Sequence, residues 1–130
     1  ELSIAGVRYR QGDPLYPCFK ACVTHFTKMS GVELGKDNIR VNAISPGAIA
    51  TPIFWGGSAV SNSLSEEENE RKLKKLEGNL ANAVPLNRSG HASDIAEAAL
   101  YLASDAGSFV TCQDIVVDGG RTAMFNEYSS

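Results

Sequence analysis

The sequence lacks any apolar run near the ~18 residues a helix needs to cross a bilayer, and no basic-then-apolar leader opens it. A soluble, cytoplasmic protein without a membrane partner is therefore expected. Cysteine is scarce and odd in number: Cys18, Cys22 and Cys112 show none of the paired spacing of a zinc site or a disulfide framework. No metal site is expected, and a reducing compartment suits such thiols. Clustered positive charge is missing too. The formal net charge is −3, and Arg71, Lys72, Lys74 and Lys75 are interleaved with acids, which argues against nucleic-acid binding and reads as a solvated helix face. Internal repeats and low-complexity segments are absent as well.

What is present is the composition of a soluble globular protein, 43% apolar and 21% charged with 12 glycines over 130 residues. Leu2-Ser3-Ile4-Ala5-Gly6 reads as the end of a buried strand, and residues 8–15 as a surface loop. Pro14 and Pro17 are compatible with a helix starting near Tyr16, because a first helical turn tolerates proline. Cys18, Cys22, Phe26 and Met29 recur at helical period and predict a buried stripe running to about Leu34, with Gly35 as the stop. Cys18 and Cys22 are expected to be small core residues.

From Asn38 to Ser45, Ile39, Val41 and Ala43 alternate with Arg40 and Asn42, predicting a strand that ends at Pro46-Gly47. Residues 52–84 form a long excursion containing Gly56-Gly57 and one charged helix from Ser65 to Glu77. Such an excursion suits a substrate loop or lid. Phe54 and Trp55 could line a pocket or pack within that lid. A further helix is expected from Ser93-Asp94 to Ser104, burying Ile95, Ala98, Ala99 and Leu102. Residues 114–118 read as a short strand before the Gly119-Gly120 turn, and residues 121–130 as a polar tail. His25 and His91 are expected to pack or cap. Strand end, helix, strand, helices, strand is the rhythm of an α/β protein with a parallel sheet and helical crossovers. Three strands make only part of such a sheet.

Tyr16 and Lys20 are four residues apart, which puts them one turn apart on the same helix face. Ordinary phenols ionise near pH 10 and are poor bases at neutrality, but a neighbouring ammonium favours the phenolate and makes proton exchange useful. By itself the pair is a common coincidence. Its company gives it weight: Ser3 lies thirteen residues earlier at a strand end, and Pro46-Gly47-Ala48-Ile49-Ala50-Thr51 follows the next strand. Ligands of open α/β sheets bind at that edge.

These residues, with Asn38 to Gly47, Thr51-Pro52, Pro85 to Arg88, Leu100 to Ser104 and Val117-Asp118-Gly119-Gly120, resemble the second half of the short-chain dehydrogenase/reductase family. The resemblance implies that residues 1–130 are the C-terminal part of a doubly wound, Rossmann-type parallel sheet. It implies an oxidoreductase interconverting a secondary alcohol and a ketone by hydride transfer with NAD or NADP. Tyr16 would be the general acid/base; Lys20 would tune it and hydrogen-bond the nicotinamide ribose. Ser3 would steady the substrate oxygen, and Pro46, Gly47, Ile49 and Thr51 would line the cofactor. A homodimer or homotetramer is implied as well.

Two departures stand beside the match. Pro17, Cys18 and Phe19 replace the small residues usual between the tyrosine and the lysine. The family's Gly-rich phosphate turn has no counterpart in the sequence, so the N-terminal nucleotide-binding half is absent from it. The alternative expectation is a truncated or degenerate, non-catalytic fragment acting as a structural or interaction piece.

Overall fold

A helix of 20 residues, α1 (Leu15–Leu34), opens the part of the chain described by the computed structural model, residues 15–124. Pro17 sits in its first turn, where a missing N–H costs no hydrogen bond. Gly35–Asp37 tightens into a 3-10 turn, and Asn38 ends it in the left-handed conformation at φ 58°. The packing of α1 corrects the buried stripe: Cys18, Cys22, Phe26 and Met29 are all exposed. The helix instead buries Thr27 and Gly31. Gly31 is the reason, because a Cβ there would stand 2.6 Å from the Cys112 sulfur and 3.3 Å from the Cys112 nitrogen. The loop around Cys112 therefore approaches the small face of the helix and leaves the large side chains facing outward.

The sheet seen among the described residues has two parallel strands, β1 (Ala43–Pro46) and β2 (Asp114–Val117), with Ala43 opposite Asp114 and Pro46 opposite Val117. The predicted strand over residues 38–45 is thus shorter and later. Its first half pairs by other means. Cys112 takes a left-handed φ of 60°, which makes the pairing irregular, although its amide still donates to the Val41 carbonyl at 2.8 Å. Asn42 bridges the gap, donating to the Val110 carbonyl at 2.8 Å and accepting from the Gln113 amide at 3.1 Å, while the Val41 amide donates to the Thr111 hydroxyl. Buried Ser45 donates to Asp114 at 2.7 Å, tying the strands together by side chains as well.

The remaining helices are a single short turn of helix, α2 (Gly57–Ser61), then α3 (Glu66–Ala81) and α4 (Ala92–Ala103). Ser65 caps α3 by accepting from the Glu68 amide, and three glutamates in its first turn face the positive end of the helix dipole. Between residues 52 and 61 the sequence reading missed two elements, a 3-10 turn Pro52–Trp55 and α2. α4 buries Leu102, while Ala99 borders a groove of 530 Å³ together with Ala43, Ile44 and Ile95. Two units emerge. Residues 15–47 and 93–117 hold α1, both strands and nearly all of α4; residues 48–92 and 118–124 hold α2, α3 and the Asp118 turn. Among the described residues, no helix is long and apolar enough to cross a membrane.

Candidate active site

Tyr16 and Lys20 occupy the first two turns of α1, and the structure brings their side chains together. The Lys20 ammonium lies over the tyrosine ring, 5.4 Å from its centroid. An ammonium over a ring face is attracted by the π quadrupole, which fixes the pair as a unit. The ring is half exposed, and among the described residues neither the phenol hydroxyl nor the ammonium takes part in a hydrogen bond or ion pair.

Pro46 is buried at the end of β1. The Gly47 amide donates to the Val117 carbonyl at 2.9 Å, so the parallel ladder runs one step beyond the strand and fixes where the chain leaves it. Ile49 and Thr51 belong to the second unit. There Ile49 bridges to Gly90, the Ala50 amide donates to the Gly90 carbonyl at 2.9 Å, and a Cβ on Gly90 would stand 2.7 Å from the end of the Ile49 side chain. Gly90 is the positioning residue that sequence reasoning missed. Its signal was the Ser-Gly pair just ahead of α4, which reads as an ordinary loop. Thr51 is extended, and its hydroxyl has no hydrogen bond among the described residues. Ser3, the expected partner of the substrate oxygen, lies outside the described residues. No group of His, Cys, Asp or Glu suited to a metal occurs among the described residues.

Asp118 closes the second strand with a built turn. Its carboxylate accepts from the Gly120 amide at 2.8 Å, the Thr122 amide at 2.7 Å and the Thr122 hydroxyl at 2.8 Å. Partial burial works against its ionisation, but the bonds from Thr122, Gly120 and Arg121 prevail and hold it below the usual carboxylate range. Gly119 and Gly120 have φ of 64° and 88°, values that favour glycine, and a Cβ on Gly119 would stand 3.3 Å from Val84 and one on Gly120 3.0 Å from Pro85. The arrangement is structural.

A family model described as enoyl-(acyl carrier protein) reductase matches residues 2–122. The chain belongs to the short-chain dehydrogenase/reductase family. Within that family it is 40% identical over 118 residues to the 3-oxoacyl-[acyl-carrier-protein] reductase of Chlamydia trachomatis, covering 91% of this chain and 42% of that protein. It is 35% identical over 123 residues to levodione reductase of Leifsonia aquatica, covering 95% and 43%. Among solved structures, a short-chain type dehydrogenase/reductase from Mycobacterium ulcerans superposes with a TM-score of 0.71 at 35% identity, covering 94% of this chain and 40% of that one. A 4-hydroxyisoleucine dehydrogenase complexed with NADH gives 0.72 at 33% identity, covering 95% and 46%. The chain spans about two fifths of the length of the curated family members it matches.

Proposed function

We propose that this chain is the C-terminal, chemistry-bearing part of a single Rossmann-type domain, in an NAD- or NADP-dependent enzyme that interconverts a secondary alcohol and a ketone. The observation that carries the proposal is the Tyr16–Lys20 pair on one face of α1, in a chain of this family. That one structural relative, the 4-hydroxyisoleucine dehydrogenase, is complexed with NADH supports the choice of cofactor class. Among the described residues the tips of Tyr16 and Lys20 hold no hydrogen bond or ion pair, which suits a nicotinamide nucleotide, whose ribose hydroxyls and amide need donors not already committed to the protein.

In this reading the nicotinamide, when bound, supplies or receives the hydride. Tyr16 donates the phenol proton to the carbonyl oxygen during reduction and takes it back from the hydroxyl during oxidation. Lys20 stabilises the negative charge left on the tyrosine oxygen and offers its ammonium hydrogens to the nicotinamide ribose. Ser3 holds the substrate oxygen and stabilises charge growing there, without forming a covalent bond to substrate. Pro46 and Gly47, with Ile49 and Thr51, line the cofactor, and residues 52–84 form the substrate loop. A small alcohol or ketone is the substrate, the assembly is a homodimer or homotetramer, and the three free thiols suit the cytosol.

The test is Tyr16→Phe in the full-length protein, followed by nicotinamide absorbance over a panel of ketones. Loss of a positioned acid/base predicts a fall in turnover of roughly 10²–10⁴-fold with the cofactor still bound. Near-normal turnover refutes the role.

A further inference from the structure

In α3, Arg71, Lys72, Lys75, Leu76 and Asn79 follow one another at helical spacing and share a face. With Phe54 and Trp55 they line a groove of 590 Å³, within the span of about 300–1,000 Å³ usual for small-molecule sites. Its apolar wall is anchored. The Trp55 indole N–H donates to the Asn69 amide oxygen at 3.3 Å, and the Asn69 nitrogen donates to the Ser61 carbonyl at 2.7 Å, so the ring is held before any ligand arrives. The charges of α3 are also divided. Lys74 pairs with Glu70 at 2.9 Å, whereas no ion pair engages Arg71, Lys72 or Lys75 among the described residues. Three uncommitted cations therefore border an aromatic wall in a chain whose net charge is −3.

We infer that this groove binds a small amphiphilic anion, a soluble molecule with a carboxylate or phosphate head and an apolar tail or ring. The head meets Arg71, Lys72 and Lys75, and the apolar part lies along Trp55, Phe54 and Leu76. Three cations are too few for a nucleic-acid track, which needs a longer row of phosphate contacts, and the groove has the dimensions of a single small molecule. The groove lies within residues 52–84, the proposed substrate loop, so the inference adds an anion-binding capacity to that loop; it does not depend on the proton chemistry assigned to α1.

Trp55 is the single tryptophan of these 130 residues, and in the full-length protein, which is the sample titrated, the part of the emission lost in Trp55→Phe is its readout. The experiment titrates the protein with octyl phosphate and with octanoate, below their micellar concentrations, and follows tryptophan emission, with Trp55→Phe assigning the signal. Both probes are expected to change the emission saturably, while octanol and inorganic phosphate at equal concentration do not. The triple variant R71Q/K72Q/K75Q, whose replacements keep helix propensity, is expected to weaken binding by about tenfold or more. The charge-keeping variant R71K/K72R/K75R should stay within about threefold of the parent, and calorimetry on the same set gives the affinities independently. The inference is overturned by an unsaturable or absent response, by an equal response to octanol, by unchanged affinity in the glutamine variant, or by a response to anionic phospholipid vesicles alone.

Discussion

At the scale of single residues, Tyr16 and Lys20 were legible because an i, i+4 spacing fixes side-chain neighbourhood once the helix exists, and Pro17 permits the helix to start there. The position of the ammonium over the ring face, and not at the hydroxyl, was not legible, since rotamers depend on packing. It suggests a division of labour. Lys20→Met should lower turnover by roughly 10²-fold and raise the KM for the cofactor, whereas Lys20→Arg, which keeps the charge, should recover part of both. Steady-state kinetics with cofactor as the varied substrate separates the two effects. Asp118 offers a test by pH. Its carboxyl is held below the ordinary 3.8 by hydrogen bonds made in the folded state. A depressed folded value means that the stabilisation is fully present above the unfolded value and is lost as pH falls through the folded one. Asp118→Asn should therefore cost about 1 kcal/mol near neutrality, the group being partly exposed. The gap from the parent should narrow as urea midpoints are followed below pH 3.8; a gap independent of pH contradicts the role.

At the scale of elements, existence was easier to read than extent. α1, α3 and α4 announced themselves by period and by terminal residues, and Ser65 before a run of glutamates is a helix start with a stated mechanism. The strand at Ala43 was overextended because alternation continued back to Ile39, while the pairing there mixes the backbone bond from Cys112 to Val41 with bonds from the Asn42 and Thr111 side chains, around a left-handed Cys112. Nothing in a local pattern reveals a substitution of that kind. The pieces at residues 52–61 were missed because elements of four and five residues are too short for any period to register. Glycines give the sharpest test at this scale. A Cβ on Gly107 would stand 2.5 Å from the Tyr101 carbonyl oxygen and 3.1 Å from the Leu102 Cα, both backbone atoms at the end of α4. Gly107→Ala should destabilise by about 2–3 kcal/mol, because backbone cannot move aside as a side-chain tip can. Gly78 lies inside α3 with nothing within 4 Å of such a Cβ. Gly78→Ala should stabilise by about 0.5 kcal/mol through helix propensity alone. Denaturant midpoints of the two full-length variants should move in opposite directions; equal shifts would remove the packing account.

At the scale of the whole molecule, the sequence indicated a partial sheet, and the energetic consequence is visible in what is left uncovered. Among the described residues of the first unit, Ala43 and Leu102 are the apolar side chains that become buried, in addition to Pro46, while Phe26 and Val32 on α1 remain 70% and 76% exposed. In the second unit, no large apolar side chain among the described residues is buried. Burial of apolar area contributes about 25 cal/mol per Å², and conformational entropy opposes it at about 1–2 kcal/mol for each ordered residue. The two strands found among the described residues make a sheet that is marginal in water even with a covered face. The 130-residue chain produced alone should therefore bind a hydrophobic dye, aggregate on warming and show a broad transition, with far-ultraviolet and near-ultraviolet signals that do not coincide. A single cooperative transition seen alike by both probes would mean that these apolar faces cover one another in solution, and the reading of the chain as part of a larger sheet would lose its physical basis.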